Sequence, residues 1–343
     1  MRFHRRDLLA GATGVAGGAA GLEAAAHLLR PRSVADLRSF VSQRVEGGFR
    51  VVESNGLPGH EVGDFPNPHD PLPVRGQAHR LRMPAGPVAL ETPIPLGMDW
   101  FGVAVNGVPF DPSGPFWKGD TESGWQFEVL HPGNAIALGI DRNNAHTQIG
   151  GMYHYHGLPA GLLARLAAEA PAAPMTLVGW AADGFPVYGP ECPADPTDLA
   201  SPTRRLRSGY RLRAGPRRDG PPGTADGRFV EDHVFEEGFG DLDACNGRRG
   251  PTPEYPEGTY YYVLTDAFPF IPRFLRGQPD RSFAHGPPPG VAVPMPPVLR
   301  SFGGVDAAAE AERGTVSAPH HRRGPPRGSR GPGEGIAVTG DRT

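Results

Sequence analysis

Proline and glycine interrupt this chain too often for it to sustain long helices. Forty-nine glycines and 41 prolines stand among its 343 residues, and inside a helix a glycine costs about 1 kcal/mol and a proline about 3 kcal/mol relative to alanine. From about residue 81 the apolar residues come in short runs bounded by turn formers: "GPVALETPIPLG", "FGVAVNGVPFDP", "GWQFEVL", "AIALGID". The same punctuation continues through "TLVGWAADGFPVYGP" and "GTYYYVLTD". Many short strands at this spacing predict a mainly β, β-sandwich-like domain. Asn106-Gly107 reads as a two-residue hairpin turn, because both turn positions then need positive φ. One short helix is expected from Pro159 in "PAGLLARLAAEA", with Leu162, Leu163 and Leu166 on its inner side and Arg165 paired with Glu169 outside. It should pack over the edge of the sheet.

Four segments are expected. Residues 1–35 resemble a twin-arginine export signal, with Arg5 and Arg6 before the weakly apolar "LLAGATGVAGGAAGL"; an ordinary basic export signal is the alternative. The run is too rich in glycine, and too soon interrupted by Glu23, to span a membrane. Residues 36–80, crowded with Pro, Gly, Asn and Asp in "GLPGHEVGDFPNPHDPLPVRGQ", read as irregular chain. Residues 81–282 form the β-rich domain. Residues 283–343, rich in Pro, Gly and Arg, read as a disordered tail in which His320 and His321 have no structural setting.

Composition excludes several functions. A net charge of -3 offers no footprint for nucleic acid or an anionic membrane. Lys118 is the single lysine, so Schiff-base chemistry has one candidate at most. There is no G-x-S-x-G elbow, P-loop, H-E-x-x-H helix or dinucleotide fingerprint; "GATGVAGG" lies inside the export signal. Cys192 and Cys245 are the two cysteines. In an exported chain they read as one disulfide, which the chain-entropy model values at about 3 to 5 kcal/mol; thiolate ligation is the rival reading, without a C-x-x-C spacing to support it.

The chemistry concentrates in "NAHTQIGGMYHYH". Side chains alternate along a strand, so His154 and His156 share one face and Tyr153 and Tyr155 the other. His146 completes H-x7-H-x-H, and three imidazoles can close three sides of a tetrahedral metal site with the fourth left to water. Asp141, Asn143, Asn144 and Gln148 are local candidates to orient the imidazoles, and His131 is a possible fourth ligand or a turn residue. His60, His69 and His79 fall in the irregular segment. In "GWAADGFPVYGP", Asp183 reads as a turn carboxylate or as a ligand, ligand partner or general base, and Tyr188 as packing or a phenol donor. "GDLDACNGR" hints at a hard cation through Asp241 and Asp243 but lacks the rest of an EF-hand loop.

Taken in order, "GGMYHYHGLPAGLL", "LVGWAADGFPVYGP", "DLDACNGR" and "GTYYYVLTDAFPFIPRFLRG", together with "FGVAVNGVPFDP", resemble the YHYH domain family between about Gly97 and Gly277. The family's motif falls on Tyr153, His154, Tyr155 and His156, and its Asp-Gly pair on Asp183 and Gly184. The resemblance implies an exported or surface protein and no established reaction. "GMYHYHG" is also similar to the paired-histidine strand of multicopper oxidases, but those need several H-x-H motifs and a cysteine ligand.

The expectation that follows is an exported β-rich protein with one Zn or Cu ion on His146, His154 and His156, Asp183 nearby as the catalytic carboxylate, and hydrolysis of a polar small molecule as the simplest chemistry. Tyr153, Tyr155, Asp141, Gln148 and Tyr188 are candidates for substrate contact or ligand support. Two alternatives stand: a non-catalytic binding module whose Tyr, His and Trp180 side chains line a glycan or peptide groove, and a metal carrier or sensor without turnover.

Overall fold

The computed structural model of the protein describes residues 38–284. A three-stranded and an eight-stranded sheet position the site. The first is an antiparallel meander of β1 (Val41–Glu46), β2 (Phe49–Ser54) and β3 (His79–Pro84). The second contains β4 (Gly102–Ala104), β5 (Pro109–Phe110), β6 (Ala145–Gln148), β7 (Met152–Tyr155), β8 (Leu177–Ala181), β9 (Pro186–Tyr188), β10 (Gly247–Thr252) and β11 (Tyr255–Val263). Their spatial order is β10-β11-β9-β8-β4-β5-β7-β6. The β9/β11 and β5/β7 pairs are parallel and the others antiparallel.

Period-two alternation decides what each strand buries. On β11, Tyr260 and Tyr262 enter the main core with Phe101, Val103, Phe110 and Trp180, and Val52, Leu81 and Met83 of the three-stranded sheet close the same core from their side. Tyr261 and Val263 point the other way, into a smaller core with Tyr188 and Met175. This two-sided burial makes the fold mainly β and agrees with a sandwich-like arrangement. Among the described residues, no helix is long and apolar enough to cross a membrane.

Several expectations change in detail. The segment 36–80 holds β1, β2 and the first residues of β3, so among its described residues the irregular chain is residues 38–40 and 55–78. The Asn106-Gly107 hairpin forms between β4 and β5, but only Gly107 has positive φ, +82°. Ala104 N–H donates to Val108 O and Gly107 N–H to Ala104 O, a three-residue closure that spares Asn106 the left-handed conformation. The run "AIALGID" opens inside a helix, α1 (Pro132–Ala137), because Pro132 presets the first helical φ and a short apolar run fits either period. "GWQFEVL" makes only isolated bridges, Phe116 to Gln126 and Phe127 to Phe229.

The expected helix is α2 (Ala160–Glu169), with Pro159 at its N-cap, Leu162 fully buried, Leu163 and Leu166 against the core, and Arg165 3.9 Å from Glu169. Its main strand contact is β8, inside the sheet rather than at its edge. The disulfide is not formed, and both cysteines are free. Cys192 packs in the smaller core and Cys245 in the main one, on opposite sides of the β11 tyrosine ladder. Burial pushes both thiols up to about 12. The twin-arginine pattern and the segment 285–343 lie outside the described residues.

Thiol titration of unreduced protein unfolded in guanidinium should find both cysteines reactive; a count of zero would restore the disulfide. Leu162→Ala should destabilise the folded chain by about 2–5 kcal/mol in chemical denaturation, whereas a cost below about 1 kcal/mol would show that α2 is not anchored as described.

Candidate metal centre

One hairpin builds the centre. β6 and β7 pair antiparallel with His146 directly across from His154, and alternation brings His156 onto the same face two residues on. The chain reverses between them through Gly150 and Gly151, whose φ values of +90° and +75° suit glycine. The three rings meet with centroids 4.8 Å apart for His146 and His154, 5.0 Å for His146 and His156, and 4.6 Å for His154 and His156. One ligating nitrogen from each lies within 4.8 Å of the others, and among the described residues no Asp, Glu or Cys joins the group. Tetrahedral zinc nitrogens sit about 3.4 Å apart, so small rotations would bring the rings to bonding distance.

Two rings are oriented by backbone carbonyls. Nδ1 of His146 donates to Leu138 O at 2.9 Å, and Nδ1 of His154 to Met152 O at 3.2 Å. Carbonyls only accept, so each ring carries its proton on Nδ1 and its lone pair on Nε2. His156 is only 3% exposed, yet neither of its ring nitrogens makes a hydrogen bond; the Asp111 backbone lies near enough to favour its protonated form slightly. Buried polar atoms are nearly always paired, so an unpartnered imidazole against two others is the centre's most telling feature.

Burial pushes His156 well below the usual histidine range, and the neighbouring His154, His146 and Arg273 push it further. His146 is lowered by burial too, against the Leu138 carbonyl and the negative charges of Asp70 and Asp141. Both are therefore neutral at pH 7, the state that binds metal.

The tyrosine face is an anchor. Tyr153 and Tyr155 are fully buried. The Tyr153 hydroxyl donates to Asp141 Oδ2 at 2.7 Å, and that of Tyr155 donates to Nε2 of His60 at 2.6 Å and accepts from Asn106 Nδ2 at 2.9 Å. His60 thus holds the strand from behind. Of the proposed orienting residues, Asp141 serves Tyr153, Gly63 N and Asn143, while Asn143 bridges to Glu61 O and Gly161 N. Asn144 accepts from His156 N–H and donates to Leu158 O. Gln148 sits opposite Met152 at the turn end of the hairpin.

Asp183 lies elsewhere. It lies within the β8/β9 turn, and β8 is separated from β7 by β4 and β5, about 14 Å at ordinary strand spacing. Its carboxyl accepts from the Tyr262 hydroxyl at 2.5 Å and Gly277 N at 2.8 Å, and burial raises it. Tyr188 belongs to the smaller core and donates to Glu254 at 2.5 Å. His131 stands at the N-cap position of α1, without a side-chain capping bond and outside the triad. Trp180 is 4% exposed, beneath the Arg50 guanidinium at 3.5 Å, so the aromatics proposed for a glycan groove are covered.

The structure adds residues that the sequence pattern did not offer. Asp70 Oδ2 lies 3.9 Å from His146 Nδ1. Asp111 is level with His156 through the Phe110 to Tyr155 register, and its N–H donates to Tyr155 O. Burial lifts its carboxyl to about 6, against its Ser113 hydrogen bonds and Arg273. Arg273 is held by Glu128 at 2.5 Å and the Pro112 carbonyl.

The two depressed histidines fix a pH dependence. Their folded values lie below the unfolded value near 6.5, so their stabilisation is complete above pH 6.5 and is lost as pH falls towards the folded values. Each adds a slope of up to about 1.4 kcal/mol per pH unit below 6.5. His60, His131 and His233 are lowered as well, so the reading is a difference: metal-free His156→Asn should lose stability on acidification less steeply than the metal-free parent by about that amount. Equal slopes in denaturation between pH 4 and 7 would contradict the neutral, buried ring.

No curated protein and no solved structure matches the chain. Residues 80–277 match the family described as "YHYH protein", a span that holds both histidine strands, the Asp183 turn and Arg273. The chain belongs to the YHYH protein family.

Proposed function

We propose that this protein binds one transition-metal ion, Zn or Cu, through Nε2 of His146, Nε2 of His154 and one ring nitrogen of His156, and uses it to hydrolyse a polar small molecule. The observation that carries the proposal is His156: a ring 3% exposed, with no hydrogen bond to either nitrogen, packed against two imidazoles whose Nδ1 atoms are already committed. A metal bond is the partner that satisfies it. Imidazole donors suit Zn and Cu, and three protein ligands leave a fourth position for water. A bound zinc would lower that water's pKa to about 7.

The chain's own residues supply the rest. The carbonyls of Leu138 and Met152 fix the tautomers, and the buried tyrosines hold the strand rigid behind the ligands. His146, whose side chain is 14% exposed, leaves the edge strand β6 as the side from which a ligand approaches. The Arg5-Arg6 pattern supports export by the twin-arginine route, which carries folded, cofactor-loaded proteins.

Untagged protein purified after native export should contain about one equivalent of Zn or Cu by elemental analysis. A folded His154→Ala/His156→Ala variant should contain none and should lose any esterase, amidase or phosphatase turnover that the parent shows. Metal in neither protein, with no uptake on addition, would overturn the proposal.

A further inference from the structure

Asp70 is a buried carboxylate beside the histidine centre. It lies in "NPHDPLP", is 3% exposed, and is 77 residues distant in sequence from the strand it serves. Thr147 N–H donates to its Oδ2 at 2.8 Å, the Thr147 hydroxyl lies 2.9 Å from both carboxylate oxygens, and Leu72 N–H donates to Oδ1 at 3.1 Å. Asn67 holds the Asp70 backbone from both sides. Every donor to the carboxylate is neutral. Among the described residues no lysine or arginine stands within ion-pair distance, and the one titratable partner is His146 at 3.9 Å.

A buried carboxylate without a cation is costly unless something compensates it. Here the missing charge has an obvious place. Asp70 touches the ring of His146, and the opposite nitrogen of that ring is a metal ligand in the reading on which this argument rests. We infer that Asp70 is the built-in counter-charge of the histidine centre, and that it makes the centre selective for a divalent ion over a monovalent one. Three neutral imidazoles compensate no ionic charge, and among the described residues no carboxylate belongs to the ligand group. Asp70 supplies one negative charge behind the ligand shell, from the irregular segment rather than from the sheet. Its attraction scales with the charge of the ion, so it favours Zn²⁺ or Cu²⁺ twice as strongly as Cu⁺ on a free-energy scale. Asp70 acts on the ion by its charge from behind His146, whose ring the Leu138 carbonyl orients, and is not itself a ligand.

The scaling sets the test. Zn²⁺ and Cu⁺ affinities are measured by chelator competition, the latter under reducing conditions, for the full chain and for Asp70→Asn. Removing an outer carboxylate partner of a ligating histidine typically costs about 10–100-fold in affinity. The Zn²⁺ affinity of Asp70→Asn should fall by that factor and the Cu⁺ affinity by about its square root, 3–10-fold. If the new amide opposes Thr147 N–H and the variant does not fold, Asp70→Ser leaves room for water at the vacated oxygens and carries the same expectation. Thr147→Val keeps the charge while removing the hydroxyl, and should leave both affinities within about threefold. Equal losses for the two ions, no loss, or a Thr147→Val variant that behaves like Asp70→Asn would overturn the counter-charge and leave Asp70 a structural turn residue. A parent protein that binds neither ion would instead overturn the metal reading itself, so the two failures are distinguishable.

Discussion

The cross-strand pairing of His146 with His154 is the interaction on which the rest of this structure depends. A one-residue slip of that ladder would turn every side chain of β7 to the other face, sending the histidines into the main core and the tyrosines out of it. The register is held from the tyrosine side. Tyr153 and Tyr155 each bury a large ring and end in a hydroxyl with a designated partner, Asp141 for one and His60 with Asn106 for the other. A slipped strand would leave those polar groups unpaired as well as exposing the rings. The histidine face inherits its geometry from this anchor.

The arrangement is also expensive to keep without an ion. A buried imidazole with no hydrogen bond and a buried carboxylate with no arginine or lysine partner both lie beside His146. Neither contributes to packing as an apolar side chain of equal volume would. Of the described residues with a buried side-chain polar atom that lacks a hydrogen bond, His156 is the one with two such atoms, and violations of this kind concentrate at functional sites. Elsewhere the tyrosine ladder of β11 alternates between two cores, and surface arginines such as Arg44, Arg204 and Arg205 pair with carboxylates.

What could be read from the chain, and what could not, divides along sequence distance. The alternation in "MYHYH" sufficed to place the two faces, because period two is local, and the leucines of α2 were legible for the same reason. His146 was legible because a hairpin turn of two glycines brings it back within a few residues. Asp70, Asp111 and His60 were not. Each reaches the hairpin from a distant part of the chain, and nothing around them distinguishes a carboxylate or imidazole aimed at a site from one that ends a turn. "NPHDPLP" reads as turn chemistry, and Asn67 does hold the Asp70 backbone in that manner; only the fold shows where the carboxylate points. Cys192 and Cys245 mislead for a related reason. An expectation of export and a count of two suggest a bridge, but whether two sulfurs can meet depends on which core each enters. Asp183 reads equally well as turn or catalyst, and its bonds to Tyr262 and Gly277 give it a place in closing the sheet.

The central claim is that three imidazoles on one sheet face ligate one ion. X-ray absorption at the edge of whichever metal the protein carries tests it most directly. The account predicts nitrogen or oxygen scatterers near 2.0–2.1 Å if the metal is zinc, with outer-shell multiple scattering that fits three imidazoles in the parent protein and two in His146→Ala. A sulfur scatterer, or an imidazole count unchanged when His146 is removed, would place the ion elsewhere and contradict the account.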